Sequence, residues 1–281
     1  MSEYDEMLRQ ATEALSKLAN VRIVPRRRYE GTLSGKAMEV DLALETEVLG
    51  MSILIVVEIK AYNRPVGVDD VELFHARLEE IPAQKGIMIT NAGYSAGAKR
   101  YADAKGIGLS VAKTLVSEEH LKSGVLVTDL GEVYAEIKEA LARQEIDLYD
   151  LPPRKFEEFV AAIFQNHGYK VELTKASHDG GIDVIAIGEN PIDQDLRIFV
   201  QCKRLRFGKP VRVSLVREMW GVISNPTHQF DRGIIATSSF LTRDALAEME
   251  SCYWRLGKQD HDDIMGFAGF RRSQEGVWLP Q

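Results

Sequence analysis

Asp41, Glu58 and Lys60 combine the side chains that metal-assisted chemistry on a phosphate ester requires. Asp41 precedes Lys60 by 19 residues, and Glu58 stands two positions before this lysine in an apolar run. Because alternate residues of a β-strand point to the same face, we expect Glu58 and Lys60 to lie side by side. Mg²⁺ prefers oxygen ligands, so Asp41 and Glu58 are candidate metal ligands. Lys60 could orient a water or stabilise charge in the transition state of phosphodiester hydrolysis.

The same arrangement occurs a second time with one change. Asp183 precedes Lys203 by 20 residues, and Gln201 takes the place two positions before the lysine. Gln201 is a neutral amide, which leaves Asp183 as the only certain carboxylate of this copy. A metal site here needs another acid, and Glu157 and Asp179 are the candidates. A pattern that recurs in this way favours two domains.

Each of these residues also has an ordinary structural interpretation. An acid and a lysine two positions apart are common on an exposed strand. Asp179 comes before two glycines, so its role could be confined to shaping a turn, and Glu157 could be a solvated helix residue. Cys202, between Gln201 and Lys203, is expected to be a small buried strand residue rather than a reactive thiol.

The overall composition is that of a soluble globular protein, with 45% apolar and 27% charged residues in a chain of 281. No run reaches the roughly 18 apolar residues that span a membrane, and the acidic N-terminus does not resemble a signal peptide. The two cysteines, Cys202 and Cys252, are too few for a disulfide framework. No glycine-rich phosphate-binding loop is present. We therefore expect a cytoplasmic protein without a membrane segment or a nucleotide cofactor.

Charge is distributed unevenly along the chain. The net charge is −7, and nine acids against three basic residues lie between positions 118 and 150, whereas positions 197–217 hold seven basic residues and no acid. A local basic field can dock a polyanion despite a negative total, although a solvated basic face is the plainer alternative. The candidate DNA phosphate contacts in this segment are Arg204, Arg206, Lys209, Arg212 and Arg217.

Apolar spacing predicts the same order of elements in both halves. The first half reads as a helix at 4–19, strands at 21–25, 39–45 and 52–60, a helix at 68–78, a strand at 86–90, a helix capped by Ser95, and a strand at 108–111. The second half reads as a helix at 153–167, strands at 169–174, 182–187 and 197–202, a helix at 211–223, a strand at 233–237, and a helix capped by Thr242.

This order predicts an α/β protein of two tandem domains, each a mixed β-sheet flanked by helices. We expect the domains at 1–115 and 151–281, joined by an acidic helical linker at 116–150 with a helix over 130–143. Pro152-Pro153 marks the second boundary, since proline begins a helix well. A short helix is expected around 262–265, and no role is assigned to 266–281.

Several separated blocks of the second half resemble one known family. These are Phe156-Glu157, Gly168-Tyr169, Asp179-Gly180-Gly181-Ile182-Asp183, Val200-Gln201-Cys202-Lys203-Arg204 and Ile234-Ile235-Ala236-Thr237-Ser238. Together, over about 150–265, they resemble the Mrr-type restriction endonuclease catalytic domain of the PD-(D/E)xK nuclease superfamily. The resemblance implies a Mg²⁺ cofactor, for which Mn²⁺ can substitute. It also implies that Asp183 binds the metal, Gln201 occupies the second ligand position, Lys203 is the site lysine, and Glu157 is the helix acid.

The first half resembles a more diverged domain of the same superfamily over about 1–115. Asp41, Glu58 and Lys60 stand in the matching places, and this looser match has the fuller set of acidic ligands. The resemblance implies a Mg²⁺-dependent DNA endonuclease acting in restriction of foreign or modified DNA. Two alternatives stay open: a DNA-binding module in which one or both sites are inactive, and a repair or recombination nuclease. DNA is the expected partner, and a homodimer that cuts both strands is also left open.

Overall fold

The computed structural model describes residues 2–16, 21–112, 130–174, 182–188, 195–225, 230–251 and 255–281. These residues belong to two compact units. The first lies within Met1–Ser123 and Glu189–Leu196, and the second lies within Gly124–Gly188 and Arg197–Gln281.

The first unit is a five-stranded mixed sheet between helices. Its elements are α1 (Glu3–Leu15), β1 (Val21–Glu30), β2 (Ala37–Val48), β3 (Met51–Lys60), α2 (Val68–Glu80), β4 (Lys85–Thr90), α3 (Ala96–Lys105) and β5 (Gly108–Val111). The strands lie in the order β1-β2-β3-β4-β5; β1, β2 and β3 pair antiparallel, and β3, β4 and β5 pair parallel. Buried residues of α1 pack on one face of this sheet, and those of α2 and α3 pack on the other.

The second unit repeats this arrangement and adds to it. Its elements are α4 (Gly131–Ala142), α5 (Pro153–Asn166), β6 (Lys170–Leu173), β7 (Val184–Gly188), β8 (Leu196–Lys203), α6 (Val213–Ile223), β9 (Arg232–Thr237), α7 (Arg243–Ser251), β10 (Leu256–Gln259), α8 (His261–Phe267), β11 (Phe270–Arg272) and β12 (Trp278–Pro280). The sheet order is β10-β9-β8-β7-β6, with β8, β9 and β10 parallel and β6 antiparallel to β7. The predicted fold class is confirmed, since each unit holds a mixed sheet flanked by helices.

Sequence periodicity missed elements that lack a regular apolar pattern. β1 was expected to end at residue 25 but continues to Glu30, because Arg28 pairs across the hairpin with Glu39 at 3.0 Å rather than facing a core. β10 was not expected, because its sequence Leu-Gly-Lys-Gln shows no alternation. The short helix expected around 262–265 is present as α8.

Helix α4, expected within the linker, packs on α5 of the second unit. The rings of Tyr134 and Phe159 stack with centroids 5.7 Å apart, and Leu130 N donates to Gln165 Oε1 at 3.0 Å. The domain bounds proposed from the sequence remain a prediction. Among the described residues, each helix is too short or too polar to cross a lipid bilayer.

Candidate active site

Asp183, just before β7, is held against β8 by its backbone and by its side chain. Its N–H donates to the carbonyl of Val200 at 3.0 Å, and its Oδ2 accepts the N–H of Cys202 at 2.7 Å. On β8, Gln201 is buried and Lys203 is half-buried. These two residues lie on the same face of the strand because they are two positions apart, so the predicted acid, amide and lysine meet at the end of β8.

Helix α5 brings Glu157 to this site. Arg154 Nη1 donates to Glu157 Oε2 at 3.0 Å and to the carbonyl of Thr174 at 3.0 Å. Thr174 N in turn donates to the carbonyl of Asp183 at 3.1 Å. The guanidinium of Arg154 therefore holds Glu157 in place and also contacts Thr174, whose N–H is bonded to the Asp183 carbonyl.

The negative charge of the second site is incompletely compensated. Burial raises the pKa of Asp183, and the nearby charge of Glu157 raises it further, although the N–H of Cys202 and the charges of Lys203 and Arg154 act in the opposite direction. A raised pKa means that burial and repulsion destabilise the ionised carboxylate more than its hydrogen bonds and nearby cations stabilise it. A bound cation would relieve both effects.

Cys202 has the structural role that its sequence position suggested. Its side chain is buried, and burial raises the pKa of its thiol well above the ordinary value, with the charges of Asp183 and Glu157 adding to the shift. Since the thiolate is the reactive form, this cysteine is inert.

In the first unit, Asp41 makes the matching backbone contact. Its Oδ2 accepts the N–H of Ile59 at 2.6 Å, while its Oδ1 accepts the hydroxyl of Tyr4 at 2.5 Å. Burial and the hydrogen bond to Asp41 both raise the pKa of Tyr4, so the hydroxyl keeps its proton and remains a donor. Both oxygens of Asp41 are therefore engaged by the protein itself.

Glu58 is engaged more strongly still. Nη1 of Arg77, on α2, donates to both carboxylate oxygens at 2.8 and 2.9 Å, and Lys60 Nζ donates to Oε1 at 2.8 Å. Glu58 is only 5% exposed. Burial lowers the pKa of Lys60, but the hydrogen bond and charge of Glu58 outweigh it and raise the pKa overall. Glu58 thus has two counterions within the protein, Lys60 and Arg77.

The two units share a hydrogen-bonded frame at the end of the lysine strand. Thr90 Oγ1 donates to the carbonyl of Lys60 at 2.8 Å, and Thr237 Oγ1 donates to the carbonyl of Lys203 at 2.8 Å. These threonines end β4 and β9 and pair in register with the two lysines. The sequence held a signal for them, since Gly-Ile-Met-Ile-Thr and Gly-Ile-Ile-Ala-Thr recur at the same place in both halves.

The frame also matches in the loops that lead to the next helices. Val66 bridges to Tyr94 and Val211 bridges to Leu241. Arg77 in the first unit and Val222 in the second lie at equivalent positions, because each follows its bridging valine by eleven residues. The cation that neutralises Glu58 therefore has an apolar counterpart in the second unit.

Asp179, one of the two candidate acids for the second copy, lies outside the described residues. Within the described ranges, no three His, Cys, Asp or Glu side chains converge on a common point. Glu157 and Asp183, with the amide oxygen of Gln201, are the described donors of the second site. Two carboxylates and an amide oxygen form a donor set that suits Mg²⁺, and the raised pKa of Asp183 is consistent with a place for a cation.

The predicted DNA contacts differ in exposure and in pairing. Arg206, Lys209 and Arg212 are exposed around the loop after β8. Arg217 is exposed but paired with Glu248 at 2.8 Å. Arg204 is half-buried and donates to the carbonyl of Tyr149 at 3.5 Å, which points its guanidinium inward.

Comparison with known protein families gives a match over both halves of the chain. The Mrr_cat restriction endonuclease family matches residues 21–119 and 148–256, which is more than half of the chain. The chain belongs to the Mrr_cat restriction endonuclease family. The resemblance found in the sequence is thereby confirmed for both halves, and the family is one of nucleases. None of the curated proteins compared with the chain is similar to it.

Solved structures that resemble this chain include three proteins with low sequence identity to it. AF1548, a protein of unknown function, is 18% identical over 59% of this chain and 98% of its own, with a TM-score of 0.35. The DNA modification-dependent restriction endonuclease AspBHI is 20% identical over 55% of this chain and 42% of its own, with a TM-score of 0.36. The MspJI restriction endonuclease, in complex with a 27-mer oligonucleotide, is 17% identical over 63% and 42%, with a TM-score of 0.35. The chain thus spans less than half the length of AspBHI and of MspJI.

Proposed function

We propose that the chain is a Mg²⁺-dependent DNA endonuclease in which the second unit cleaves and the first unit does not. The observation that carries this proposal is the contrast between the two acidic groups. Asp183 has a raised pKa beside the charge of Glu157, whereas Glu58 is held by Arg77 and Lys60. The first unit, which has the fuller set of acids, is therefore the one in which the charge of the second ligand position, Glu58, is already neutralised.

Asp183, Glu157 and Gln201 are the residues that would hold the metal ion. A bound divalent cation polarises a phosphoryl oxygen and lowers the pKa of a bound water. Arg154 keeps Glu157 oriented by its 3.0 Å hydrogen bond. The N–H of Cys202 keeps Asp183 oriented in the same way, at 2.7 Å. The donor set is thus positioned before DNA arrives, which is what efficient electrostatic catalysis requires.

Lys203 is the residue that would act directly on the phosphate. Its carbonyl accepts a hydrogen bond from Thr237 Oγ1 at 2.8 Å, which holds the end of β8 against β9. From this position Lys203 Nζ would donate to a phosphate oxygen and stabilise the charge that develops as the P–O bond breaks. Mn²⁺ is expected to replace Mg²⁺, since both accept the same oxygen donors.

DNA is positioned by the exposed basic residues that follow β8. Arg206, Lys209 and Arg212 are exposed in this segment and can contact phosphates, which fixes the register of a duplex without reading its sequence. One cleaving site per chain nicks one strand, so a double-strand break requires two chains or two binding events. Membership of a restriction endonuclease family supports a role in restriction of foreign or modified DNA, and we expect the protein to meet this DNA in the cytoplasm.

A plasmid-nicking assay tests the assignment. Wild type, Lys203→Ala and Lys60→Met are compared with Mg²⁺, with Mn²⁺ and with EDTA, on methylated and unmethylated plasmid. Lys203→Ala should lower the nicking rate by about 10²- to 10³-fold, while Lys60→Met should keep most of it. The reverse result would move the chemistry to the first unit. Absence of metal-dependent nicking by wild type on both plasmids would favour the DNA-binding module instead.

A further inference from the structure

The second unit contains a cavity that the proposed cleavage reaction does not use. Its volume is about 430 Å³, within the range of about 300–1,000 Å³ typical of small-molecule sites. Aromatic rings make up much of its wall, from Tyr149, Phe207, Phe240, His261 and Trp278. Its polar lining includes Ser238, Ser239 and three aspartates.

The cavity begins beside the proposed site. Its wall residues Ser238 and Ser239 directly follow Thr237, the threonine that holds the carbonyl of Lys203. Ser238 N donates to this same carbonyl at 3.4 Å, and Ser238 Oγ donates to the carbonyl of Leu205 at 2.9 Å. A nucleotide next to a phosphate at Lys203 is therefore close to the cavity.

The aromatic side chains form an open stacking surface. Tyr149 meets Phe207 with ring centroids 5.5 Å apart and His261 at 6.4 Å. His261 meets Trp278 at 6.1 Å. Phe207 is 80% exposed although it is large and apolar, and it lies in the basic segment between Arg206 and Lys209. Exposed aromatic rings interleaved with basic residues are how proteins stack bases of unpaired nucleic acid.

The polar groups of the wall call for a neutral, hydrogen-bonding ligand. Ser239 is only 6% exposed, and its hydroxyl makes no hydrogen bond within the described part of the chain. The charges of the wall are largely balanced: Asp147 pairs with His261 at 2.8 Å, and Asp262 pairs with Arg272 at 3.3 Å. An apolar ligand would leave the Ser239 hydroxyl without a partner, and the paired charges of the wall give a free phosphate no net attraction.

We propose that this cavity, here called the base pocket, receives an unstacked nucleobase of the DNA strand bound at the second site. This inference rests on the proposed function as a DNA endonuclease. A base presents a flat ring to the aromatic wall and donors and acceptors to Ser239 and the aspartates. Enzymes that take a base out of the helix must separate it from its neighbours, which is easiest at a mismatch or in a single strand. The protein should therefore prefer DNA with an unpaired base over a perfect duplex.

Binding measurements without metal test the base pocket separately from cleavage. Fluorescence anisotropy in EDTA gives the affinity of the full chain for a labelled single strand, a duplex with one mismatch and the matched duplex. Phe207→Ala should weaken binding of the single strand by about tenfold, the effect of losing one stacked base, and leave the matched duplex unchanged. Ser239→Val should act in the same direction, because it removes the unpaired hydroxyl. Trp220→Ala is the control, since Trp220 is also a partly exposed aromatic residue but does not line the cavity.

A photocrosslinking arm locates the base. A single strand carrying 5-iododeoxyuridine is irradiated with wild type, and the labelled peptide is identified by mass spectrometry. A crosslink to Tyr149, Phe207 or Trp278 supports the proposal, and crosslinks confined to other parts of the chain overturn it. If the variants bind every substrate as wild type does while plasmid nicking persists, the base pocket is wrong and the endonuclease stands. If wild type neither binds nor nicks any DNA, both proposals fail.

Discussion

Arg77 and Glu58 form a two-point ion pair in which one guanidinium nitrogen donates to both carboxylate oxygens, at 2.8 and 2.9 Å. A second nitrogen of Arg77 donates to the carbonyl of Glu39 on the neighbouring strand. The arginine therefore links α2 to β2 and β3. Its ion pair also engages the Glu58 carboxylate, which a metal ion would need as a ligand. A buried carboxylate with such a partner gains little from a cation, because its charge is already compensated.

Arg77→Met should destabilise the protein by about 1–3 kcal/mol, since it leaves the buried Glu58 with Lys60 as its remaining cation. Methionine keeps an apolar stem of similar length, so packing is preserved. The free energy of unfolding from urea titration measures the loss. Arg9→Met is the matched control: Arg9 pairs with Glu6 at 2.7 Å but is exposed, so solvent screens the pair and the free energy of unfolding should change much less. Adding Glu58→Gln to Arg77→Met should restore part of the stability, and a double variant weaker than either single one would contradict the pairing.

The sequence predicted the strands that position the sites because these strands are buried. β4 and β9 read as continuous apolar runs, with every residue of each buried. Alternation along β3 and β8 then predicted that Glu58 and Lys60, or Gln201 and Lys203, share a face. The partner of Glu58 could not be predicted in this way. Arg77 lies 19 residues after it on a helix, and their contact depends on how α2 packs against the sheet, which spacing alone does not specify.

Asp183→Asn should abolish cleavage without destabilising the protein. The folded-state pKa of Asp183 is raised, with burial as the largest cause, so at pH values above that pKa its charge opposes folding. Asparagine removes the charge, and its amide oxygen can still accept the N–H of Cys202. In EDTA the free energy of unfolding should stay equal to wild type or rise slightly, since solvent screens much of the charge of this half-buried group. Mg²⁺ should stabilise wild type but not this variant, by mass action on the folded state.

Asp41→Asn provides the contrast in the first unit. Both oxygens of Asp41 accept hydrogen bonds, from Ile59 and from Tyr4. Asparagine removes the charge that strengthens both bonds, and the Tyr4 hydroxyl would have to turn and accept from the amide nitrogen. We expect a loss of about 1–3 kcal/mol in the free energy of unfolding, with plasmid nicking retained. Equal stability changes for Asp41→Asn and Asp183→Asn would show that the two acids do not differ as described.

Gly233→Ala should destabilise the second unit, because the added methyl has no room. A Cβ at this position would lie 2.6 Å from Phe199 Cε1 and 2.9 Å from Leu256 Cδ2. The ring of Phe199 is buried on the adjacent strand and cannot turn away cheaply, so the expected cost is about 1–3 kcal/mol. Gly221→Ala is the control, since its added Cβ meets nothing within 4 Å on helix α6. That variant should gain about 0.5–1 kcal/mol from helix propensity, and thermal unfolding of both variants checks the opposite signs.

The Asp147–His261 pair should stabilise the second unit only over a limited range of pH. Burial lowers the pKa of His261, but the hydrogen bond and charge of Asp147 outweigh it, so the pKa lies above its ordinary value of 6.5. A raised histidine pKa gives stability that is complete below the unfolded-state pKa and is lost as the pH rises through the folded-state pKa. Burial raises the pKa of Asp147 while His261 lowers it below its ordinary value of 3.8, so the contribution of the aspartate is lost only in acid.

His261→Gln should therefore cost more stability at about pH 5.5 than at about pH 9, as measured by urea midpoints at both pH values. His75 offers a control of opposite sign, because burial lowers its pKa below 6.5 despite the opposing charge of Glu79. Folding then disfavours the protonated form of His75. Relative to wild type, His75→Gln should therefore be more stable at the lower pH than at the higher pH. A cost of His261→Gln that does not change between the two pH values would assign His261 a packing role without the ion pair.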